Sequence, residues 1–171
     1  MIHDENPFGI PEADRDPVRR FRGRMPAPVT VVTAGVGEQA TGLTVSSLVV
    51  ADGEPGRILF LCGLNTDLAD VVATSGGFVV HALSTGDEAL SDRFAGIRPS
   101  PGGLFADLAW VAGVRGPVLT EIPSRVECAF TATYDVGWYL LLEGAVESVT
   151  LGGLESPLLR LRGRYRGVDG G

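Results

Sequence analysis

The sequence contains no lysine, so all 14 of its basic residues are arginines. This absence excludes catalysis through a lysine Schiff base and phosphate binding by a P-loop lysine. The two histidines, His3 and His81, and the two cysteines, Cys62 and Cys128, have no metal-ligand spacing. Zinc sites need such clusters, so we expect no metal site.

Several catalytic motifs are also missing. The chain has no GxGxxG after a strand, no Walker A sequence, no HExxH and no GxSxG. A Ser-His-Asp triad would need His81, which lies in the apolar segment Val79–Leu83. A histidine in such a strand is more often a hydrogen-bonded, half-buried residue than a base.

Long hydrophobic runs are absent, so no segment is predicted to span a membrane. The acidic segment Met1–Asp16 lacks the apolar stretch of a secretory signal, and we expect a cytoplasmic protein with reduced thiols. Acids outnumber bases by 21 to 14, and the net charge of −7 argues against nucleic-acid binding.

The chain of 171 residues fits one domain. We predict a flexible N-terminal arm over residues 1–15 and a single domain over 16–171. Aromatics make up only 7%, whereas 24 glycines and 11 prolines indicate many turns between short elements. Asp16 is placed to cap a helix over Pro17–Arg24.

Alternating and β-branched segments dominate the rest of the chain. The predicted strands are Val29–Ala34, Thr41–Val50, Arg57–Gly63, Phe78–Leu83, Ser124–Thr133, Tyr139–Val149 and Leu158–Arg166. The predicted helices run from Asn65 or Thr66 to Ala73, from the capping-box pattern at Thr85 to Ala95, and over Leu104–Ala112. Helices and strands do not alternate regularly, which favours a mainly β fold, a closed antiparallel barrel with helices outside.

Small hydroxyl residues interrupt the second predicted strand, at Thr44-Val45-Ser46-Ser47. This pattern fits either a strand with one solvent-exposed face or a strand whose hydroxyls face a polar, planar ligand.

Polar residues also follow the third predicted strand, at Leu64-Asn65-Thr66-Asp67. Exposed N–H groups at a helix start can bind phosphate, although the same residues are ordinary helix caps. Asp67 would repel a phosphate.

Four arginines, Arg160, Arg162, Arg164 and Arg166, recur at period two near the C-terminus. On one strand they would share a face. A solvated face paired with acids such as Glu143 and Glu147, or a contact with another subunit, is favoured over nucleic-acid binding. Contact with an anionic cofactor is a further interpretation.

The order of these segments resembles the flavin reductase family. The resemblance rests on VTVVTA, TGLTVSSLVV, RILFLCGLNT, GFVVHAL, SDRFAG and SPLLRLRGRYRGV, which together extend from about Pro17 to Arg166. It implies a six-stranded antiparallel split β-barrel of Greek-key type that binds FMN or FAD, with a homodimer around the flavin. It also implies reduction of flavin by NADH or NADPH and supply of reduced flavin to a separate monooxygenase.

The resemblance implies roles for particular residues. The expected flavin contacts are Thr44, Val45, Ser46, Ser47, Leu64, Asn65, Thr66, Phe94, Ala95 and Tyr165. On the nicotinamide side we expect His81, Trp138 and Tyr139. No protein side chain needs to be catalytic, because the flavin carries the chemistry.

Two motifs differ from the family pattern. The family often has Gly-Asp-His where this chain has Gly137-Trp138-Tyr139, and Asn-x-Leu where it has His81-Ala82-Leu83. Trp138 and Tyr139 can stack on a ring or seal it from nicotinamide. A non-catalytic flavin-binding dimer and a deazaflavin-dependent reductase are therefore the alternative hypotheses.

Overall fold

A computed structural model describes residues 16–153 and 156–168. The predicted N-terminal arm lies outside the described residues. The helices are α1 (Pro17–Arg22), α2 (Leu68–Ser75) and α3 (Glu88–Phe94). The strands are β1 (Ala27–Pro28), β2 (Thr30–Ala34), β3 (Thr41–Val45), β4 (Leu48–Ala51), β5 (Arg57–Gly63), β6 (Gly77–Ala82), β7 (Trp110–Ala112), β8 (Pro117–Leu119), β9 (Arg125–Val136), β10 (Tyr139–Thr150), β11 (Leu158–Leu161) and β12 (Arg164–Gly167).

The main sheet has seven strands in the order β3-β2-β6-β9-β10-β5-β4, and each of its pairings is antiparallel. A three-stranded sheet, β1-β11-β12, and the hairpin β7-β8 accompany it. The predicted mainly β, antiparallel class is thus confirmed. The predicted closed barrel of six strands is not found, because in the described residues β3 and β4 are the unpaired edges of a seven-stranded sheet.

The predicted strand Thr41–Val50 is two strands. The chain leaves the β2 ladder after Val45 and joins β5 at Leu48, so Ser46 and Ser47 form the corner between β3 and β4. The Leu61 N–H donates to the Ser47 carbonyl, which fixes the corner against β5.

The predicted strand Leu158–Arg166 is also two strands. Arg162 and Gly163 have φ values of 52° and 78°, which close a tight two-residue hairpin turn between β11 and β12. Arg160 pairs with Tyr165, and Leu161 pairs with Arg164. Paired residues share a face and neighbours alternate, so Arg160 lies on the face opposite Arg164. The predicted single arginine face was therefore wrong.

The helix starts also differ from the predictions. The N-cap of α2 is Asp67, whereas Asn65 or Thr66 was predicted. Gly76 follows the helix and adopts the left-handed conformation that ends it. α3 begins after Asp87 and not at Thr85, because the Thr85 hydroxyl donates to the Ser156 carbonyl instead of capping the helix. The Asp87 carboxylate accepts from the Ser84 N–H.

The predicted helix over Leu104–Ala112 is not formed. Its first part is a series of turns, and its end is β7, which pairs with β8. The side chain of Phe105 packs against Phe94 and Trp110. Packing of Phe105 between these two rings overrides the local helix preference of the segment.

The buried apolar residues form two clusters on either side of β2, all five residues of which are buried. One cluster lies under α2 and includes Phe60 and Phe78, whose rings meet edge to face. The other includes Phe94 and Leu158, and so holds α3 and the C-terminal hairpin. Among the described residues, no helix is long and apolar enough to cross a membrane.

Candidate functional site

Polar residues meet where β5 ends beside the β3–β4 corner. Ser47 is exposed, and its hydroxyl lies 3.5 Å from the Leu61 carbonyl oxygen. The turn from Gly63 to Thr66 follows two residues beyond Leu61, and it exposes Leu64 and Asn65. The structure therefore brings the two polar segments singled out in the sequence to one place.

The side chain of Thr66 points back into the fold. Its hydroxyl donates to the Gly63 carbonyl at 2.9 Å and lies 2.7 Å from Cys62 Sγ. Burial raises the pKa of the Cys62 thiol, so that the thiol stays protonated near neutral pH. Thr66 thus closes the turn, and the groups that the turn leaves open are its backbone and the Asn65 amide.

The acid beside this turn is hydrogen-bonded to β3. Thr41 Oγ1 donates to Asp67 Oδ1 at 3.1 Å, which draws the Asp67 carboxylate toward β3. This contact uses one oxygen of the carboxylate and fixes the direction of the Asp67 side chain.

An aromatic residue borders the same turn. Tyr139 pairs with Gly63 across the β10–β5 ladder and is half-buried. Its hydroxyl lies 3.5 Å from an Arg22 guanidinium nitrogen of α1. Trp138 is at the tip of the β9–β10 turn with 72% of its surface exposed. Tyr139 is therefore part of the site's border, whereas the Trp138 ring is largely open to solvent in the described chain.

A second group of predicted residues meets at α3. The Thr44 hydroxyl donates to the main-chain carbonyl of Ser91, which joins β3 to α3. Phe94, at the end of α3, is 2% exposed and packs on the backbone of Gly42. Ala95 follows it and is half-buried. Thr44 and Phe94 thus fix α3 to the sheet, and Ala95 is the more accessible member of the Phe-Ala pair.

Tyr165 reaches α3 from the C-terminal hairpin. Its hydroxyl lies 2.6 Å from Asp92 Oδ1 and 2.9 Å from Ser91 Oγ. Burial and the Asp92 carboxylate raise the pKa of Tyr165, so the phenol stays protonated. The Arg160 guanidinium lies over the ring, 5.7 Å from its centroid.

Two predicted residues lie inside the protein. Val45 is 3% exposed, and its carbonyl accepts from the Thr30 hydroxyl. His81 is fully buried, with Nε2 accepting from the Leu119 N–H at 3.0 Å and Nδ1 3.2 Å from the Val31 carbonyl oxygen. A carbonyl only accepts, so Nδ1 carries the proton. Burial lowers the pKa of His81 to about 4, and its place is that of a neutral core residue.

Three border residues were missed by the sequence analysis. Arg22 comes from α1, and Ser91 and Asp92 come from α3; each contacts a residue that had been predicted. Nothing in the local sequence of α1 indicates that its arginine meets a tyrosine 117 residues away. The sequence SDRFAG was noted, but only for its Phe-Ala pair.

The comparison with family models identifies the class of protein. The model described as flavin reductase like domain matches residues 22–169. The chain belongs to the flavin reductase-like family. The matched range includes β3, the β3–β4 corner, the turn after β5, α3 and Tyr165, so the family resemblance seen in the sequence is confirmed.

Curated members of the flavin reductase-like family resemble the chain over most of its length. The NADH-dependent FMN reductase AsuE2 of Streptomyces nodosus subsp. asukaensis is 36% identical over 157 residues, 90% of this chain and 85% of that protein. The reductase component of 4-hydroxyphenylacetate 3-monooxygenase of Thermus thermophilus is 31% identical over 155 residues, 91% of this chain and 95% of that one.

A solved structure of the family has the same fold. The NADH:FAD oxidoreductase SgcE6 of Streptomyces globisporus C-1027 superposes with a TM-score of 0.82 at 28% identity, covering 92% of this chain and 95% of that chain. The same protein has been solved in complex with NAD and FAD fragments, and that structure superposes with a TM-score of 0.81.

Proposed function

We propose that this protein is an NADH-dependent flavin reductase that supplies reduced flavin to a separate monooxygenase. The observation that supports this most is the family match over residues 22–169, together with relatives named as NADH-dependent FMN or FAD reductases. The described residues at the candidate site fit such a protein, because they offer neutral hydroxyl and amide groups and aromatic rings rather than a nucleophile and base.

The polar side chains of the site have free hydrogen-bonding capacity for a flavin. Within residues 16–153 and 156–168, the side chains of Ser46 and Asn65 have no hydrogen-bond partner. Ser47 has only a long contact of 3.5 Å. The polar edge and the ribityl hydroxyls of a flavin would satisfy these groups, whereas a purely apolar ligand would leave them unpaired.

A flavin held here would supply the redox chemistry, as an acceptor of hydride from a reduced nicotinamide. The work of this chain is to orient two rings and to exclude water from the space between them. In the proposal, the β3–β4 corner and the turn after β5 hold the flavin. Ala95 and Tyr139 border the nicotinamide, with Thr44, Phe94 and Tyr165 keeping α3 in position. The buried His81 is left out of the ligand contacts.

We also propose two kinds of partner, a monooxygenase and a second copy of this chain. Relatives named as reductase components of monooxygenases support a diffusing reduced flavin passed to an oxygenase. A homodimer is proposed because α1 has no buried residue and six residues are too few for a stable isolated helix. A cytoplasmic location remains a prediction from the sequence.

The test is oxidation of NADH by the purified protein at 340 nm, with and without added FMN, FAD or riboflavin. We expect oxidation that depends on added flavin and saturates with it. Tight binding of flavin without oxidation of NADH or NADPH would favour the non-catalytic binder instead. Activity only with a deazaflavin would favour the alternative reductase.

A further inference from the structure

The residues that follow the N-terminal helix are hydrogen-bonded to the C-terminal hairpin. The Arg162 N–H donates to the Gly23 carbonyl at 3.1 Å, and β1 pairs with β11. These two elements contain arginines but no acid between Pro17 and Arg24 or between Leu158 and Gly167. The fold therefore gathers positive charge in one region of a protein whose net charge is −7.

Two of these arginines each contact a tyrosine of the candidate site. Arg22 Nη1 lies 3.5 Å from the Tyr139 hydroxyl, and Tyr139 is paired with Gly63 at the turn after β5. The Arg160 guanidinium lies over the ring of Tyr165, which reaches α3. Neither arginine has a carboxylate partner among the ion pairs of the described residues, which are Arg57–Glu143 and Arg115–Glu147.

The other arginines nearby point elsewhere. Arg20 is two residues from Arg22, which rotates it about 200° around the helix. Arg20 and Arg24 line an outer groove with Pro17 and Phe21. Arg166 lies on the face of the hairpin opposite Arg160 and donates to the Tyr165 carbonyl. Arg22 and Arg160 thus differ from Arg20, Arg24 and Arg166 in that each contacts a tyrosine of the candidate site.

We infer that Arg22 and Arg160 bind the phosphate groups of the nucleotide at this site, an inference that rests on the proposed function. Both flavin mononucleotide and a nicotinamide dinucleotide are anions, and the field of an acidic protein opposes their approach. A guanidinium forms paired hydrogen bonds to phosphate oxygens, and a tyrosine that holds its position lowers the entropy lost on binding.

The experiment compares R22Q, R160Q and the double variant with R20Q, which removes the same charge from the opposite face of α1. Dissociation constants for FMN and riboflavin are measured by flavin fluorescence. KM is measured for NADH and for 1-benzyl-1,4-dihydronicotinamide, which has no phosphate. In R22Q and in R160Q we expect the dissociation constant for FMN or the KM for NADH to rise about tenfold or more, while the value for the phosphate-free compound stays the same. R20Q should match the wild type.

Comparing FMN with riboflavin, and NADH with its phosphate-free analogue, shows which nucleotide carries the phosphate that the arginines bind. A selective loss for FMN assigns the arginines to the flavin phosphate, and a selective loss for NADH assigns them to the dinucleotide. The inference would be overturned if the variants lost as much affinity for the phosphate-free compounds as for FMN and NADH, or if R20Q lost as much affinity as they do. If R160Q does not fold, R22Q alone decides. A wild-type protein that neither binds flavin nor oxidises NADH would instead refute the proposed function.

Discussion

Tyr165 donates its phenolic proton to Asp92, and this contact attaches the C-terminal hairpin to α3. The oxygen atoms are 2.6 Å apart, and Ser91 Oγ lies 2.9 Å from the same hydroxyl. Two of the segments that the family resemblance singled out are therefore joined directly, although 73 residues separate them.

Removal of this hydroxyl should loosen the hairpin. We expect Y165F to lower the free energy of unfolding by about 1–3 kcal/mol, because Asp92 is left partly buried without its donor. Urea unfolding measures the change. The double variant Y165F/D92N removes the unpaired charge as well, and it should lose less than the sum of the two single changes. Additive losses would show that the contact contributes little.

The buried His81 should make stability depend on pH. Its pKa is about 4 in the folded protein and about 6.5 when unfolded. Below pH 6.5 the unfolded chain takes up a proton that the folded chain does not, so stability is full above pH 6.5 and falls as the pH decreases toward 4. The expected slope is about 1.4 kcal/mol per pH unit.

The control for this prediction is H81L. Its stability at pH 7 should be lower, since the Leu119 N–H loses its acceptor. Between pH 6.5 and pH 4 the free energy of unfolding of H81L should fall less steeply than that of the wild type, by the slope that one proton contributes. Parallel curves from urea unfolding at several pH values would mean that His81 titrates normally.

Gly42 should not tolerate a methyl group. A Cβ at this position would lie 2.6 Å from Cε1 of the Phe94 ring. We expect G42A to cost about 1–3 kcal/mol of stability and to lower turnover by displacing α3. In G42A/F94L the smaller side chain should restore part of the stability. G63A is the matched control for stability, because nothing lies within 4 Å of its added Cβ.

The β3–β4 corner should contribute to flavin binding alone, whereas the turn after β5 should contribute to both flavin binding and stability. S47A removes an exposed hydroxyl with one long contact, and we expect weaker flavin binding with an unchanged melting temperature. T66A removes a hydroxyl that closes the turn, so binding and stability should both fall. If the turn binds the phosphate, the affinities of T66A for FMN and riboflavin should converge. Unchanged FMN affinity in both variants would contradict the placement of the site.

The two aromatic residues at the β9–β10 turn should also behave differently. We expect Y139A to reduce NADH-dependent turnover more than flavin affinity, because Tyr139 borders the site beside Gly63. W138A should have a smaller effect, since the Trp138 ring is mostly exposed in the described chain. Stopped-flow reduction and flavin titration measure the two quantities. Equal loss of turnover and affinity in Y139A would assign Tyr139 to the flavin contacts.

Most elements could be predicted where local patterns agree with the packing. Arg57–Gly63 was predicted with the bounds that the structure has, because a short apolar run follows the turn residues Pro55-Gly56 and ends at a glycine. Leu104–Ala112 was predicted wrongly as a helix, because Phe105 packs against Phe94 of α3 and the end of the segment pairs with β8. The one-face assignment of the C-terminal arginines failed at Arg162 and Gly163, whose positive φ angles reverse the chain.

The sequence by itself determined the mainly β class, the order of the segments and the family to which they belong, since these depend on local residue patterns along the chain. The tertiary structure alone decided which of the predicted residues are accessible from outside the protein. It buried His81 and Val45, turned Thr66 inward and brought Arg22 to Tyr139. The physical reason is that burial, pKa and the pairing of distant side chains follow from packing in three dimensions, which neighbouring residues do not encode.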